Sequence, residues 1–357
     1  MTRDDCEPGA KEKGAVRSSL ADKVAFLGRR ESFPEPTTRV EAIETHMSWV
    51  FLTDDYAYKL KKPVRFKLLN LATLEDRRRN CEAEVVWNRR LAPDVYLGVV
   101  PLGLDENGRL ALGSGTRVVD WLVKMRRLPS EKMLDRVIAR GKVERADLRR
   151  VAETLAPFYR RAPRANVSEE EYRLRFVRDV EEIGRELEEI SPIPKNRIDA
   201  MSTELLGFAR KRADLLDARV REGRIVEAHG DLRPEHVCLL SEPVIIDCLE
   251  FDPELRLLDP ADELSFLTVE CELAGGPPLI EQVLFGTYSE LTSDRPPRPL
   301  VRFYKTFRAF LRAKISIWHL KDREVKDSDK WVSKTNRYLE AAERLVHQGR
   351  ESHESST

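Results

Sequence analysis

Two carboxylates and an imidazole lie close together in the segment His229–Asp247, which begins with the residues HGDLRPEHV. Asp231 stands in its polar first half, His236 lies near the end of that half, and Asp247 closes the apolar run that follows. Phosphoryl transfer needs one carboxylate that orients and deprotonates an acceptor hydroxyl, and a second that holds the Mg²⁺ bridging the nucleotide phosphates. The pattern therefore indicates phosphoryl transfer, with Asp231 as the base and Asp247 as the metal ligand.

A short hairpin is predicted to bring these groups together. The two apolar tetrads that flank Ser241–Pro243 are typical of strands, and the three residues between them are typical of a tight turn. An antiparallel ladder through such a turn places Val237 opposite Asp247. His236 is then expected to lie beside Asp247, with Asp231 on the loop just before.

The pattern H-G-D-L-x-P-x-(N/H)-V, followed by a strand ending in I-I-D, resembles the aminoglycoside phosphotransferase family. The resemblance is greatest to its bacterial stand-alone or P-loop-fused members. Similar stretches at Thr45–Leu52, Tyr58–Val64 and Arg89–Asp94 extend the resemblance over roughly residues 38–320. It implies a two-lobed, protein-kinase-like α+β fold, with a small β-rich N-lobe and a larger, mainly helical C-lobe.

His236 departs from the usual pattern of this family, which has Asn there as a second metal ligand. Imidazole is a softer donor than an amide oxygen, whereas Mg²⁺ prefers hard oxygen ligands. Three roles for His236 remain open: ligand to a borderline metal such as Mn²⁺, hydrogen-bond donor to a phosphate oxygen, or packing residue. The resemblance also implies that His229 braces the backbone around the metal-binding segment, and Gly230 is expected to permit unusual dihedrals in this loop.

The segment Tyr56–Lys59 is similar to the V-A-I-K strand of kinases, whose lysine pairs with the α- and β-phosphates. Lys59 is therefore the predicted phosphate ligand. Lys61 projects from the same face at period two and is the alternative, whereas Lys62 is expected to point away. A solvent-facing role without any ligand also fits these lysines.

The phosphate lysine needs a carboxylate partner from the following helix, and Glu82 and Glu84 are the two candidates. They lie on different faces of a helix, so only one of them can point at Lys59. Glu84 is preferred because Leu91 follows it at the E-x6-L spacing of the family. In the alternative, both are surface acids beside the neighbouring run of arginines.

The stretch Val118–Met125 resembles the strand that leads into the hinge between the lobes, where backbone groups around Lys124 and Met125 would hydrogen-bond the adenine. Met125 fits a core position equally well. The sequence contains no G-x-G-x-x-G and no G-x4-G-K-(S/T), so neither a Rossmann nor a Walker loop can bind the phosphates. Phosphate cover is therefore expected from the turn Thr45–Ser48, although its residues also fit a structural role.

Acidic residues are frequent after Asp247, between Glu250 and Glu263. In one interpretation they line a pocket for a cationic, amine-bearing acceptor. In the other, Asp259 caps the next helix and Asp262 pairs with an arginine. The candidate countercharges lie at helical spacing further along the chain, at Arg308, Arg312 and Lys314.

The composition excludes several classes of protein. With 62 basic and 62 acidic residues the formal net charge is zero, which disfavours nucleic acid and membrane surfaces as partners. Five cysteines without a CxxC pair favour a reducing compartment over a disulfide framework. There is no long apolar run and the first residues are charged, so a cytoplasmic location is expected.

Four segments are predicted along the chain. Residues 1–20 and 346–357 are polar and expected to be disordered, residues 21–125 form the nucleotide-binding N-lobe, and residues 126–345 form the C-lobe with the catalytic loop and the acceptor site.

Periodicity and turn signals predict the elements within the two lobes. The N-lobe is expected to consist of strands around one helix over Thr73–Leu91, with a hairpin turning at Asn107–Gly108. In the C-lobe, apolar residues recur at spacings of three and four over Tyr172–Ile190 and again over Leu205–Leu216, which predicts amphipathic helices.

The implied function is transfer of the γ-phosphoryl group of ATP or GTP to a hydroxyl of a small molecule, supported by Mg²⁺ or Mn²⁺. The chief alternative is a catalytically silent, nucleotide-binding regulatory module, which the histidine at position 236 favours. Transfer of a nucleotidyl group is a third reading. No motif indicates the acceptor or the oligomeric state.

Overall fold

The computed structural model describes residues 18–65, 69–190, 192–321 and 327–354. These residues form two compact units. The first consists of the described residues up to Val86 together with Asp94–Arg127, and the second consists of Trp87–Pro93 and the described residues from Leu128 onward. One unit is rich in strands and the other is mainly helical, so the predicted α+β class is confirmed.

The first unit is built on one antiparallel sheet of six strands: β1 (Glu41–Glu44), β2 (Ser48–Leu52), β3 (Tyr56–Lys61), β4 (Tyr96–Leu104), β5 (Leu110–Leu112) and β6 (Arg117–Arg126). The strand order is β1-β2-β3-β6-β4-β5, which makes β6 an interior strand. Alternating side chains bury one face, where the core contains Leu27, Phe33, Phe51, Tyr58, Leu60, Leu102 and Leu122. The sheet is accompanied by helices α1 (Leu20–Leu27) and α2 (Leu74–Asn88).

The hairpin between β4 and β5 turns where the sequence predicted. The Asp105 carboxylate accepts hydrogen bonds from the backbone N–H groups of Asn107 (2.9 Å) and Arg109 (2.8 Å). Gly108 has φ +74, a left-handed conformation that glycine adopts without steric cost. The turn is therefore specified by an Asp that binds the local backbone and a Gly that permits the bend.

The second unit contains nine helices among the described residues. They are α3 (Leu134–Ala139), α4 (Arg145–Arg161), α5 (Glu169–Ile190), α6 (Lys195–Lys211), α7 (Ala213–Arg221), α8 (Pro260–Leu273), α9 (Leu279–Thr292), α10 (Arg298–Ile317) and α11 (Ser328–Glu354). Two short antiparallel ladders accompany them, β7 (Val226–Glu227) with β10 (Leu257–Leu258), and β8 (Val237–Cys238) with β9 (Val244–Ile245). The segment Trp87–Pro93, predicted with the N-lobe, belongs to this unit because Asn88 accepts a hydrogen bond from the Cys248 N–H at 2.8 Å.

The predicted stripe of α5 is buried as expected. Tyr172, Phe176, Val180, Ile183 and Leu187 all lie in the core, at the spacing that puts them on one face of the helix. The second predicted stripe, over Leu205–Leu216, is divided between two helices, because α6 ends just before Arg212 and α7 begins just after it.

The prediction that residues 1–20 and 346–357 are disordered is partly wrong. Residues 1–17 and 355–357 lie outside the described residues, but α1 begins at Leu20 with Ser19 as its cap, and α11 continues to Glu354. The carboxyl-terminal helix is held because Leu345 is buried and Val346 packs against the same core. Tertiary burial therefore overrides the polar composition of the last residues.

No helix in the described ranges is both long and apolar enough to cross a membrane. Among the residues that the structure describes, Cys81, Cys238, Cys248 and Cys271 are buried and carry free thiols.

Candidate functional site

The catalytic hairpin has a register different from the predicted one. Val237 pairs with Ile245 and Cys238 with Val244, so Val237 does not lie opposite Asp247. The Leu239 N–H donates to the Lys132 carbonyl (2.9 Å), which ends β8 early and lengthens the turn. His236 and Asp247 nevertheless lie close together as expected, because the Ile246 N–H donates to the His236 carbonyl at 2.9 Å.

Asp231, His236 and Asp247 lie together in the second unit. His236 Nδ1 lies 2.8 Å from the Asp231 carbonyl oxygen, and His236 Nε2 lies 3.5 Å from Asp247 Oδ2. The Asp231 side chain is 22% exposed and the Asp247 side chain is 43% exposed, so both carboxylates are accessible to a ligand. Asp247 has φ +62, a left-handed backbone that is uncommon for a residue with a side chain.

The hydrogen bonds of His236 define its tautomer. A carbonyl oxygen can only accept, so Nδ1 carries the proton that it donates to Asp231. The Nε2 lone pair then accepts from Arg233 Nη2 at 3.0 Å. The nitrogen that would bind a metal thus accepts from Arg233, so the auxiliary metal ligation predicted at His236 stays a prediction that requires Arg233 to move away.

Arg233 also binds the predicted catalytic base. Its Nε and Nη2 atoms lie 3.0 Å and 2.9 Å from Asp231 Oδ2, and Nη1 donates to Glu235. Burial raises the pKa of Asp231, but its electrostatic interactions, with Arg233 first and then with His236 and Arg312, outweigh this effect, so the pKa lies below its usual value. Asp231 is therefore a carboxylate at neutral pH. The sequence prediction gave Arg233 no role, although it stands two residues after Asp231.

His229 braces the loop, as predicted. Its Nε2 donates to the Ile246 carbonyl at 2.9 Å, and its Nδ1 accepts from the Asp231 N–H at 3.3 Å. The ring thus ties the backbone of Asp231 to the residue before Asp247. Burial lowers the pKa of His229 to about 4, and the neighbouring His236 contributes in the same direction, so the ring is neutral at physiological pH.

This depressed pKa predicts a pH-dependent stability. Between pH 6.5 and pH 4 the unfolded chain binds a proton on His229 that the folded chain does not, so the free energy of unfolding falls as the pH is lowered. We expect a loss of about 1.5 kcal/mol between about pH 6.5 and pH 5 from this residue. Denaturant unfolding of the wild type and of His229→Gln at several pH values measures it. An equal pH slope in both proteins would contradict the assignment.

Glu263 is a second brace that the sequence analysis did not single out. Its buried carboxylate accepts from the backbone N–H groups of His229 (3.0 Å) and Gly230 (2.6 Å) and from the Tyr159 hydroxyl (2.9 Å). Gly230 has φ +91, and a Cβ there would lie 3.0 Å from the Leu249 side chain, so glycine is required at this close approach. Burial raises the pKa of Glu263 despite these hydrogen bonds.

Both candidate phosphate lysines contact Glu84 in the first unit. Lys59 Nζ lies 2.9 Å from Glu84 Oε1, and Lys61 Nζ pairs with Oε2 of the same carboxylate. The Lys59 side chain is 15% exposed and that of Lys61 only 3%, so Lys59 is the more accessible of the two. Glu82 pairs with Arg78 on the helix surface. Lys62 pairs with Glu44 and therefore points away from Glu84, as expected.

The residues predicted to contact adenine, Lys124 and Met125, lie in the interior strand β6. Lys124 has Tyr58 and Gly98 as its register partners, and Met125 has Ala57 and Tyr96. A contact between their backbone groups and adenine stays a prediction. The Lys124 ammonium pairs with Glu35, and Met125 is a buried core residue.

The turn predicted to cover the phosphates joins β1 to β2. Its closing hydrogen bond runs from the Thr45 N–H to the Ser48 carbonyl (2.8 Å), and the Thr45 hydroxyl accepts from the Ser48 N–H (3.0 Å). Thr45 and Ser48 thus have a structural role, and a contact with phosphate at this turn remains a prediction.

The acidic residues around α8 serve structural roles. Asp259 caps α8 by accepting from the Ala261 N–H (2.9 Å), and both of its oxygens bind Arg219. Asp262 forms two hydrogen bonds with Arg308, at 2.7 Å and 2.6 Å. These two carboxylates are buried and already paired with arginines, so neither is available to a cationic acceptor.

Comparison with known proteins gives relatives of unassigned function. No family model matches the sequence. Over 283 residues the chain is 32% identical to uncharacterised proteins of Mycobacterium tuberculosis (strain H37Rv) and Mycobacterium bovis, covering 77% of this chain and 54% of those proteins. The chain thus spans about half the length of the curated relatives it matches.

Solved structures with a similar fold are small-molecule kinases. Aminoglycoside 2'-phosphotransferase-IIIa in complex with GDP superimposes with a TM-score of 0.54 at 15% identity, over 93% of this chain and 100% of that one. A glucosamine kinase with glucosamine, ADP and phosphate gives 0.54 at 15%, over 94% and 89%. A choline/ethanolamine kinase family protein from Mesorhizobium loti gives 0.51 at 17%, over 90% and 98%. These likenesses confirm the predicted protein-kinase-like fold.

Proposed function

We propose that this chain transfers the γ-phosphoryl group of a nucleoside triphosphate to a hydroxyl group of a small molecule. The observation that carries the proposal is the approach of the two carboxylates to the two nitrogens of the His236 ring, Asp231 Oδ2 to Nδ1 at 3.8 Å and Asp247 Oδ2 to Nε2 at 3.5 Å. In a chain of protein-kinase-like fold, two accessible carboxylates in this loop match the roles of base and metal ligand. Two of the solved neighbours contain a nucleotide, GDP in one and ADP in the other, so both purine nucleotides are included in the proposal.

Asp231 would orient the acceptor and receive its proton. A bond forms between the hydroxyl oxygen and the γ-phosphorus, the bond from that phosphorus to the β–γ bridging oxygen breaks, and the hydroxyl proton passes to the Asp231 carboxylate. The low pKa of Asp231 makes it a weak base, so its main contribution would be to position the nucleophile. Arg233 contacts Asp231 Oδ2, so the acceptor hydroxyl would bind Oδ1 or displace Arg233 from Oδ2.

The residues present fit a magnesium ion held mainly by its nucleotide. Asp247 offers a hard, partly exposed carboxylate, whereas no group of three or more His, Cys, Asp or Glu side chains in the described chain is arranged to hold a metal. Mg²⁺ commonly binds one or two carboxylates and completes its shell with phosphate oxygens and water. When bound it would neutralise charge on the β- and γ-phosphates.

Lys59 is proposed as the phosphate ligand, held by Glu84. Lys59→Ala is expected to weaken ATP binding about tenfold, because a charge-assisted contact is lost. Lys61→Ala is expected to leave ATP affinity within twofold but to lower the free energy of unfolding by roughly 1–3 kcal/mol, because a buried carboxylate loses a partner. Calorimetric titration and denaturant unfolding separate the two effects. A larger loss of affinity in Lys61→Ala would reverse the assignment.

One observation favours the alternative of a silent nucleotide-binding module. Arg233 engages both Asp231 and His236 Nε2, which are the groups that an active site would leave for substrate and metal. In that case nucleotide would bind but no phosphoryl group would be transferred.

A nucleotide panel followed by an acceptor panel distinguishes the two functions. Thermal unfolding with ATP or GTP and Mg²⁺ or Mn²⁺ should show stabilisation of about 2.7 kcal/mol at a hundredfold excess over Kd. The wild type should then form nucleoside diphosphate together with a phosphorylated hydroxyl compound. Binding without product across the panel would favour the silent module, and an absence of binding would contradict both.

A further inference from the structure

A second charged cluster lies in the helical unit, where α8, α10 and α11 meet. We define the anion cluster as Glu270, Arg312, Lys334 and Tyr338. Arg312 Nε lies 3.0 Å from Glu270 Oε1 and 3.5 Å from the Tyr338 hydroxyl, which itself donates to Glu270 at 2.9 Å. Lys334 precedes Tyr338 by one turn of α11, so both lie on the same face of that helix.

The anion cluster is electrostatically coupled to the catalytic loop. Arg312 is one of the groups that lower the pKa of Asp231 against the effect of burial, after Arg233 and His236. Lys334 interacts electrostatically with Arg312 and Glu270 in the cluster and with Arg233 and Glu235 in the catalytic loop. A ligand that contacts this cluster is therefore within the electrostatic range of the proposed base.

Lys334 is the exceptional member of the cluster. Within the ranges that the structure describes, no carboxylate forms an ion pair with its ammonium group, which lies 5.6 Å from the centre of the Trp331 ring. The residue is half-buried, and burial together with the positive charge of Arg312 lowers its pKa. A partly desolvated ammonium without a carboxylate is unfavourable unless an anion binds beside it.

The charge balance around the proposed base also favours an anion. Apart from Asp231 and Asp247, which the proposed mechanism uses, the charged side chains concerned are three cations, Arg233, Arg312 and Lys334, and two carboxylates, Glu235 and Glu270. Both carboxylates already have a cationic partner, as do Asp259 and Asp262 nearby on α8. A cationic acceptor would find no unpaired carboxylate among these four residues, whereas an anionic one would find Lys334.

We infer that the acceptor is a hydroxyl compound with a second, negatively charged group, a phosphate or a carboxylate, which Lys334 binds with support from Arg312. This inference rests on the proposed phosphotransferase function and specifies its substrate class. Arg312 is the supporting group because its charge is already shared with Glu270. Lys334 provides the charge that discriminates an anion from a neutral or amine-bearing compound of the same skeleton.

The inference is tested by equilibrium binding, which does not depend on turnover. The protein, saturated with Mg²⁺ and a non-hydrolysable ATP analogue, is titrated calorimetrically with sets of hydroxyl compounds. Each set contains one skeleton in neutral, amine, carboxylate and phosphate form, for example glucose, glucosamine, glucuronate and glucose 6-phosphate. We expect at least one anionic compound to bind tenfold or more tightly than the neutral and amine compounds of its set.

Matched variants of α11 assign the effect to Lys334. Lys334→Gln is expected to weaken binding of that anion fivefold or more, Lys334→Arg to retain most of it, and nucleotide affinity to remain within twofold in both. Lys330→Gln is the control, because Lys330 is exposed and lies over the same Trp331 ring at 5.2 Å. The control is expected to bind like the wild type.

Two results would overturn the inference. One is that no anionic compound binds more tightly than its neutral and amine counterparts, and the other is that Lys330→Gln weakens anion binding as much as Lys334→Gln. Transfer to neutral or amine acceptors would then leave the phosphotransferase function intact. Conversely, selective anion binding without transfer to any acceptor would contradict the proposed function but retain the anion site.

Discussion

Asp231→Asn is expected to lower kcat by about 10²- to 10⁴-fold while the Kd for the nucleotide stays within twofold. Asparagine has nearly the shape of aspartate, but it cannot accept a proton from the acceptor hydroxyl. It also cannot form a charged pair with Arg233, which now lies 2.9 Å from Asp231 Oδ2. Steady-state kinetics on an acceptor found in the panel and calorimetric titration with nucleotide measure the two quantities.

Glu235→Gln is the matched control for this variant. Glu235 is the other carboxylate paired with Arg233, and it is half-buried on the same turn. Its substitution releases the arginine to a similar degree without removing the proposed base, so kcat is expected to change by less than about tenfold. Equal losses in the two variants would show that the rate depends on Arg233 pairing and not on Asp231 as a base.

Asp247→Asn is expected to raise the Kd for nucleotide in the presence of Mg²⁺ by roughly 30- to 100-fold, because an anionic oxygen ligand becomes a neutral one. Affinity measured with excess chelator should be the same in variant and wild type, since no metal is then held. Titration with and without Mg²⁺ gives both values. The side chain is 43% exposed, so large effects on folding are not expected.

Glu242→Gln controls for a general loss of charge in the same hairpin. Glu242 is exposed in the turn between β8 and β9. It should bind nucleotide like the wild type with or without Mg²⁺. If Asp247→Asn also leaves the metal-dependent affinity unchanged, Asp247 is not the metal ligand.

The catalytic hairpin illustrates what the sequence could predict. Apolar tetrads on either side of a turn signal predicted two strands, and the proximity of His236 to Asp247 followed from them. The register was wrong because the Leu239 N–H bonds to Lys132, a partner far away in the chain. Local patterns specify that a segment is extended, but they do not specify its long-range partners.

The choice of Glu84 over Glu82 could also be predicted from the spacing of residues in the sequence. Helical geometry allows only one of the two to face the sheet, and Glu84 is the one buried against Lys59 and Lys61. The role of Arg233 could not be predicted from the sequence. Its guanidinium has Asp231, Glu235 and His236 within reach, and which of them it binds depends on the single turn that folds these residues together.

The charge that the acceptor site favours could be inferred only from the three-dimensional structure. From the sequence, the acidic residues after Asp247 fitted either a pocket for a cationic acceptor or a helix cap and an ion pair with an arginine. The structure supports the second interpretation for Asp259 and Asp262, and it identifies Arg308 as the partner of Asp262. Lys334 had no sequence signal, because it lies in a helix whose surface is rich in charged residues.

Phosphorus NMR of the complete reaction tests the central claim most directly. Wild-type protein, Asp231→Asn and Asp247→Asn are each incubated with ATP, Mg²⁺ and the tightest-binding acceptor. The account predicts that the wild type converts the γ-phosphate resonance into that of a phosphate monoester, in step with formation of ADP, and that both variants form little of either product. Nucleotide binding by the wild type with no phosphate ester from any acceptor, or an undiminished rate in Asp231→Asn, would contradict it.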